Sequence, residues 1–376
     1  MEKYLAPAHV TFGDDAIDAA VAVLRSGQVS AGQECRAFEA EFTAAVGARH
    51  AVSCASGTAA LLLSCLAVLQ PGDEVLVPGL TFFATAGAVV RAGCRPVFCD
   101  IDPKTFLMDM DDAAQKLTPQ TRAIIPVHLF GNPCDADVVC RFAETHGVHI
   151  IWDAAQAHGA RFRGRDVGSL SGLCCYSFYP TKNVGTAGEG GMVTTQDETL
   201  AERIRCLANQ GQRVRYEHVM SGLNERMSEV EAAIGRVQLG HLKAMLAKRR
   251  RNASRLHDGL CDIPGLHMQT ISPHGESAWH QFCVCVDAAQ TGVTRDMLAT
   301  QLAERHIGTA IHYPKGVHEQ PAFEQMATAL PVTESVSRSI LALPVHHGLT
   351  DDDVDRIVWT VREIMLTKRE GNDVHS

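Results

Sequence analysis

From residue 50 onward, apolar positions come in short blocks, separated by small-residue turns and by longer stretches with a helical period. The blocks are HAVSCAS (50–56), DEVLVPG (73–79), RPVFCDI (95–101), RAIIPVHL (122–129), VHIIWDA (148–154), LCCYSF (173–178) and GMVTT (191–195). Most run continuously through Val, Ile, Cys and Phe rather than alternating, the pattern of strands buried on both faces. TAALLLSCLAVL, ATAGAVVRAG and DADVVCRFAETHG lie between them and read as helices. Strand–helix–strand repetition predicts an α/β chain with a mostly parallel sheet of seven strands and helices on both faces. In such sheets ligands gather at the carboxyl ends of the strands, so the residues just after each block carry the most interest.

Ahead of this region, GDDAIDAAVAVLRSG predicts a capped amphipathic helix that stops at Gly27, with FEAEFTAAVG helical after it. From 228 to 260 one long helical pattern leads out of the first domain. Beyond it, WHQFCVCVD, TRDMLATQLAERHIG and IGTAIHYP predict a smaller α+β unit. The expected division is 1–245 for the N-terminal segment and large domain, and 246–376 for the smaller C-terminal domain, in keeping with the length.

The chain has 376 residues, 46% hydrophobic and 20% charged, with a formal net charge of -9. No Lys/Arg run suggests a nucleic-acid or membrane face, and Lys248-Arg249-Arg250-Arg251 reads as the solvated face of a helix. The 13 cysteines are odd in number and sit in apolar runs. They read as reduced, small hydrophobes in a reducing compartment, with no paired C-x-x-C for zinc and so no metal expected. MEKYLAPAHVTFGDD lacks an apolar signal core and no apolar run is long enough for a bilayer, so the expected location is cytoplasmic.

The chemistry sits where the strands end. After the first block come Ser56, Gly57 and Thr58 at the start of a helix, which is either a plain N-cap or a place for a phosphate. After VHIIWD come Asp153 and Gln156; the aspartate either caps the next segment or holds a positive charge at the sheet edge. Ser177 closes the LCCYSF strand, and Lys182 follows in a short polar turn ahead of Gly185, Gly188, Gly190 and Gly191. A lysine in a partly dry site can lose its proton and form a Schiff base with an aldehyde. An amine, a carboxylate, and a helix end with hydroxyls together meet the needs of pyridoxal 5′-phosphate (PLP), whose ring needs a carboxylate partner to act as electron sink.

With these stretches the chain resembles the DegT-type (DegT/DnrJ) sugar aminotransferases, a branch of the fold-type I PLP enzymes. The resemblance rests on SCASGTAAL (53–61), PGDEVLVPGLTFFATAGAV (71–89), VFCDIDPKTFLMD (97–109), IIPVHLFGNPCDAD (124–137), WDAAQAHGA (152–160), SFYPTKNVGTAGEGGM (177–192), GLNERMSEVEAAIGRVQL (222–239) and HYPKGVHEQPAF (312–323). It implies that Lys182 is the Schiff-base lysine and proton shuttle, Asp153 the pyridine-nitrogen partner and Gln156 the neighbour of the ring's phenolic oxygen. It implies that Gly57, Thr58 and Ser177 bind the phosphate and that Phe82 stacks on the ring, where core packing is the plain alternative. Asn224 matches a residue that reaches the phosphate from the neighbouring subunit, so the resemblance implies a homodimer with shared active sites. Arg226 is implied for a donor carboxylate, with a structural ion pair as the alternative, and His312 and Tyr313 for the sugar. His128 reads as a structural hydrogen-bonding residue.

Relatives with histidine at the Schiff-base position dehydrate deoxysugars; Lys182 favours transamination. The expected reaction moves an amino group from glutamate or glutamine to a keto-sugar, nucleotide-linked by family habit, in two covalent stages. A keto-inositol or other ring ketone is the alternative acceptor, because neither VSAGQE (29–34) nor HYPKGVHEQ (312–320) separates one polyhydroxylated ring from another. A non-catalytic PLP-binding regulator is a further alternative, against which the intact Lys182, Asp153 and Gln156 count.

Overall fold

The seven apolar blocks form seven strands of one sheet: β1 (His50–Cys54), β2 (Glu74–Pro78), β3 (Arg95–Cys99), β4 (Thr121–Ile124), β5 (His149–Asp153), β6 (Leu173–Ser177) and β7 (Gly191–Thr195). Their order is β1-β7-β6-β5-β4-β2-β3. The pairings among β2, β3, β4, β5 and β6 are parallel, and β7 runs antiparallel to both its neighbours. The computed structural model describes residues 3–326 and 328–370.

Successive residues of each strand feed opposite faces. Ile150 and Trp152 of β5 join one core with Cys174 and Tyr176 of β6, while Ile151, Leu173 and Cys175 join another. Both faces are covered, which is why the strands read as unbroken apolar runs. Helix α1 (Asp14–Ser26) ends at Gly27 in the left-handed conformation, as expected, and α2 (Gln33–Val46) supplies Phe38 and Phe42 to the first core. Helices α3 (Gly57–Val68) and α4 (Phe83–Arg91) cover the second.

The helix Glu229–Leu260 begins with Ser228 as N-cap, its hydroxyl accepting from Glu231 N–H. It ends in a third core, where Ala253, Leu256 and Leu260 pack on an antiparallel sheet of Leu266–Met268, Phe282–Val286 and Ile340–Leu343. The expected boundary at 245/246 falls in the middle of this helix. Leu5, from the start of the chain, also lies in the third core, and its N–H donates to the His306 carbonyl.

The basic run on this helix departs from expectation. Lys248 and Arg251 face solvent, but Arg249 is buried and its Nη1 donates to the carbonyls of Trp279 and His280. Arg250 donates to the carbonyls of Ser277 and Gly159. Arg249 stands on the stripe of Leu242, Leu246, Ala253, Leu256 and Leu260, at helical spacing, so the fold turns it inward with the apolar residues. The 13 cysteines are free and most are buried. Among the described residues no helix is long and apolar enough to cross a membrane.

Candidate active site

The carboxyl ends of β1, β2, β5 and β6 open into one cavity of about 570 Å³. Its lining brings together Ser56, Gly57, Thr58, Phe82, Asp153, Gln156, Ser177, Lys182, His312 and Tyr313. Nine of the eleven residues expected from sequence to serve the site are in that set; Asn224 and Arg226 are not.

At the β1 end, the Ser56 hydroxyl caps α3 by accepting from Ala59 N–H at 3.1 Å. The first-turn amides of Gly57 and Thr58 have no acceptor within the helix and are available to an anion. A Cβ on Gly57 would stand 2.6 Å from Ser177 Cβ, so the end of β6 meets this helix start only because residue 57 is glycine. The glycines after Lys182 are close-packed too: a Cβ on Gly191 would lie 2.2 Å from the Ser56 carbonyl oxygen.

Asp153, the last residue of β5, is buried. Its Oδ2 accepts from the Thr85 hydroxyl at 2.8 Å and its Oδ1 from Ala155 N–H at 3.1 Å. Burial raises its pKa above the ordinary 3.8, against the opposing effects of those hydrogen bonds and of the Lys182 charge. Burial likewise lowers the Lys182 amine from 10.5 to about 8, with Asp153 resisting. The turn that carries Lys182 is held by its own N–H to the Tyr179 carbonyl, and by Thr186 N–H and hydroxyl to the Phe178 carbonyl.

Gln156 is fixed at both ends. Its Oε1 accepts from Phe130 N–H at 2.7 Å and its Nε2 donates to the Tyr313 hydroxyl at 3.3 Å. Phe82 is 58% exposed, which removes core packing as its role; its ring centroid lies 6.1 Å from that of Tyr313. Burial lowers the pKa of His312 to about 4, with the Lys182 charge adding to it, so this imidazole is neutral at pH 7. His128 is structural, as expected: Nδ1 accepts from Cys134 N–H, and the ring stacks on Trp152.

Asn224 is exposed, and Arg226 Nη1 donates to Asn209 Oδ1 at 2.6 Å. Their loop is tied to the end of β1 by Ala55 N–H to the Glu225 carbonyl, and to the end of the helix Glu198–Ala208 by Glu225 N–H to the Ala208 carbonyl. Within one chain both residues stand apart from the cavity. Sequence reasoning missed Thr81, Tyr179, Thr181, Glu189, His280 and Gln281, which also line it. Thr81 and Thr85, two hydroxyls four residues apart just beyond β2, were a readable signal. His280 and Gln281 arrive from the C-terminal unit and had none.

A buried amine of lowered pKa, a buried carboxylate with spare acceptor capacity, and a helix start ringed by hydroxyls fit the aldehyde, ring nitrogen and phosphate of PLP. The model of the DegT/DnrJ/EryC1/StrS aminotransferase family matches residues 11–362. The dTDP-3-amino-3,4,6-trideoxy-alpha-D-glucose transaminase of Streptomyces venezuelae is 41% identical over 351 residues, covering 92% of this chain and 91% of that one. The erythromycin biosynthesis sensory transduction protein EryC1 of Saccharopolyspora erythraea is 40% identical over 362 residues, covering 95% and 97%. The crystal structure of S. venezuelae DesV in complex with a ketimine intermediate superposes with a TM-score of 0.91 at 39% identity, covering 94% of this chain and 95% of that one.

Proposed function

The chain belongs to the DegT/DnrJ/EryC1/StrS aminotransferase family and is a PLP-dependent sugar aminotransferase, and from that premise we propose that it moves an amino group from glutamate or glutamine to a nucleotide-linked keto-sugar. The observation that carries the reading is Lys182: a buried amine with a pKa near 8, in the same cavity as the buried Asp153. When bound, PLP supplies the aldehyde that takes up the amino group and the ring that draws electrons from the reacting carbon.

In this reading the Lys182 Nζ, partly neutral near pH 8, binds the aldehyde and then takes and returns the reacting proton. Asp153 holds the ring nitrogen through its carboxylate. Gly57, Thr58 and Ser177 take the phosphate, Phe82 covers one ring face, and Gln156 sits by the phenolic oxygen. His312 and Tyr313 contact the sugar, both neutral, so they recognise hydroxyls by hydrogen bonding rather than by charge. Donor and acceptor use the cavity in turn.

Asn224 and Arg226, which lie outside this chain's cavity, serve the site of a second copy, with Arg226 gripping the donor carboxylate. The enzyme is thus a homodimer with shared sites, built from a large domain (1–245) and a smaller one (246–376). The free thiols support a reducing compartment, and the cytoplasm is the proposed location. The regulatory name borne by EryC1 has no counterpart in this cavity, which keeps the amine and carboxylate that turnover needs.

The test is an absorbance titration of the purified holoenzyme. The Schiff-base band should fade with glutamate or glutamine and return with a dTDP- or UDP-linked keto-sugar. Return with a keto-inositol alone would move the assignment to aminocyclitols; a band indifferent to both donors and to every keto-sugar would overturn it.

A further inference from the structure

Behind Asp153 stands a chain of two hydroxyls. Thr85 Oγ1 lies 2.8 Å from Asp153 Oδ2, and Thr81 Oγ1 lies 2.7 Å from Thr85 Oγ1. Thr81 and Thr85 are 3% and 0% exposed, and both belong to the turn and first turn of α4 that follow β2. We propose that Thr81 and Thr85 form a one-way hydrogen-bond relay that keeps Asp153 ionised and oriented, which makes Thr85 a positioning residue for the reaction. The inference rests on the reading of Asp153 as the partner of the ring nitrogen.

The direction follows from counting protons. A threonine hydroxyl has one hydrogen, and an ionised carboxylate only accepts. If Thr85 donates to Asp153, its lone pair is left to accept from Thr81, so the order is Thr81 to Thr85 to Asp153. A protonated Asp153 would either donate through Oδ2 and reverse the chain, or carry its proton on Oδ1 against the Ala155 N–H, itself a donor. The relay is therefore satisfied in the ionised state without any rearrangement.

Geometry also says why the relay is needed. Oδ2 has Thr85 as its protein donor, Oδ1 has the Ala155 amide, and burial opposes the charge. The titratable neighbours that act on Asp153 are Lys182, Cys134, Cys175 and Tyr313. Burial holds Cys134, Cys175 and Tyr313 protonated and neutral, and Lys182 is committed to the aldehyde in the holoenzyme. The Thr85 hydroxyl, ahead of the Ala155 amide, is then what most favours the carboxylate. Thr81 lies in the turn just before the N-cap Phe82 and Thr85 in the first turn of α4, so the start of one helix brings the two hydroxyls together.

The experiment replaces the hydroxyl by a methyl group of equal size. Thr85→Val should raise the Kd for PLP by roughly tenfold to a hundredfold, the loss expected for one hydrogen bond to a charged group. It should also move the pH at which the bound cofactor's absorbance titrates and lower kcat more than donor KM. The cofactor-free protein should lose some stability too, since the hydroxyl is buried against Asp153. Thr85→Ser should recover most of the affinity, and Thr81→Val should shift the same readouts in the same direction, by only about threefold because it acts through Thr85.

In an Asp153→Asn background, Thr85→Val should add nothing to the Kd. Wild-type PLP affinity and titration retained in Thr85→Val would overturn the relay. If that variant does not fold, Thr81→Val behaving as wild type in both readouts would do so instead. Additivity with Asp153→Asn would also overturn it. A wild-type chain that does not bind PLP would instead bring down the reading of the site itself, a different failure from an indifferent Thr85.

Discussion

Two aspartates stand at carboxyl ends of strands in the same sheet, Asp100 just past β3 and Asp153 closing β5; both are buried, and their electrostatics run in opposite directions. Asp100 accepts from four protein donors: Ile101 N–H, Val332 N–H, and the N–H and hydroxyl of Thr333. The last three come from the start of the helix Pro331–Ser339, whose own N-cap, Leu330, has no polar side chain to accept from it. Burial opposes the charge, but those bonds outweigh it and hold the carboxyl below its ordinary 3.8. Asp153 has two protein donors and a pKa raised by burial. An aspartate that caps is one whose acceptor capacity is used up by its own protein. Asp153 keeps capacity in reserve, on the wall of a cavity, at an energetic cost that a purely structural residue would not carry.

Removing the cation that faces Asp153 should have the largest effect. Lys182→Ala should reduce turnover to background in a coupled assay, while the variant remains folded by circular dichroism. Full activity in that variant would collapse the distinction between the two aspartates.

Next comes the direct exchange of roles. Asp153→Asn should lower turnover on the order of a hundredfold through loss of a charged partner, with the unfolding midpoint of the cofactor-free protein unchanged or raised. Asp100→Asn should do the reverse, costing about 2–3 kcal/mol of stability in urea unfolding while leaving the cofactor spectrum intact. Equal effects of both substitutions on both readouts would erase the comparison.

Lys182→Met separates function from stability at the other end of the pair. The fall from 10.5 to about 8 corresponds to about 3 kcal/mol, which wild-type apoprotein forfeits below pH 8 by burying a charged amine. The folded pKa is the lower one, so the advantage of the methionine variant should be absent above 10.5 and should open as pH falls to about 8. A variant no more stable than wild type at pH 7 would count against the burial argument.

The smallest effects are in acid. Asp100, with its folded pKa depressed, gives stability that is present above 3.8 and lost as pH falls through the folded value. Asp153, with its folded pKa raised, opposes folding increasingly as pH rises from 3.8 through its folded value. Urea unfolding against pH should therefore show Asp100→Asn less stable than wild type above 3.8 and converging on it as pH falls below, while Asp153→Asn gains on wild type as pH rises above 3.8.

Much of this was legible in the chain. The seven strands could be read because burial on both faces makes each one continuously apolar, and Ser56, Ser228 and Gly27 mark helix ends by their chemistry. Lys182, Asp153 and Gln156 stood out because they follow strand ends. What could not be read was who touches whom across the fold. Asp100 and Asp153 look alike in sequence, and only Val332 and Thr333, more than 200 residues away, tell them apart. Arg249 looked solvated because it sits among cations, although its place on the apolar stripe was visible. Asn224 and Arg226 lie off this chain's cavity, and nothing in their local sequence could show that.

The cavity draws its wall from residues as far apart in the chain as Ser56 and Tyr313, with His280 between. No early folding unit can contain it: the sheet can assemble from local strand–helix–strand steps, but the pocket closes only after the C-terminal unit has docked. The residues of this cavity assigned to PLP all lie between 57 and 182, so the sheet can present them first, and the wall assigned to the sugar is added when the C-terminal unit docks. By mass action PLP stabilises the states that hold it, and the docked C-terminal unit, which completes the cavity, shares in that gain.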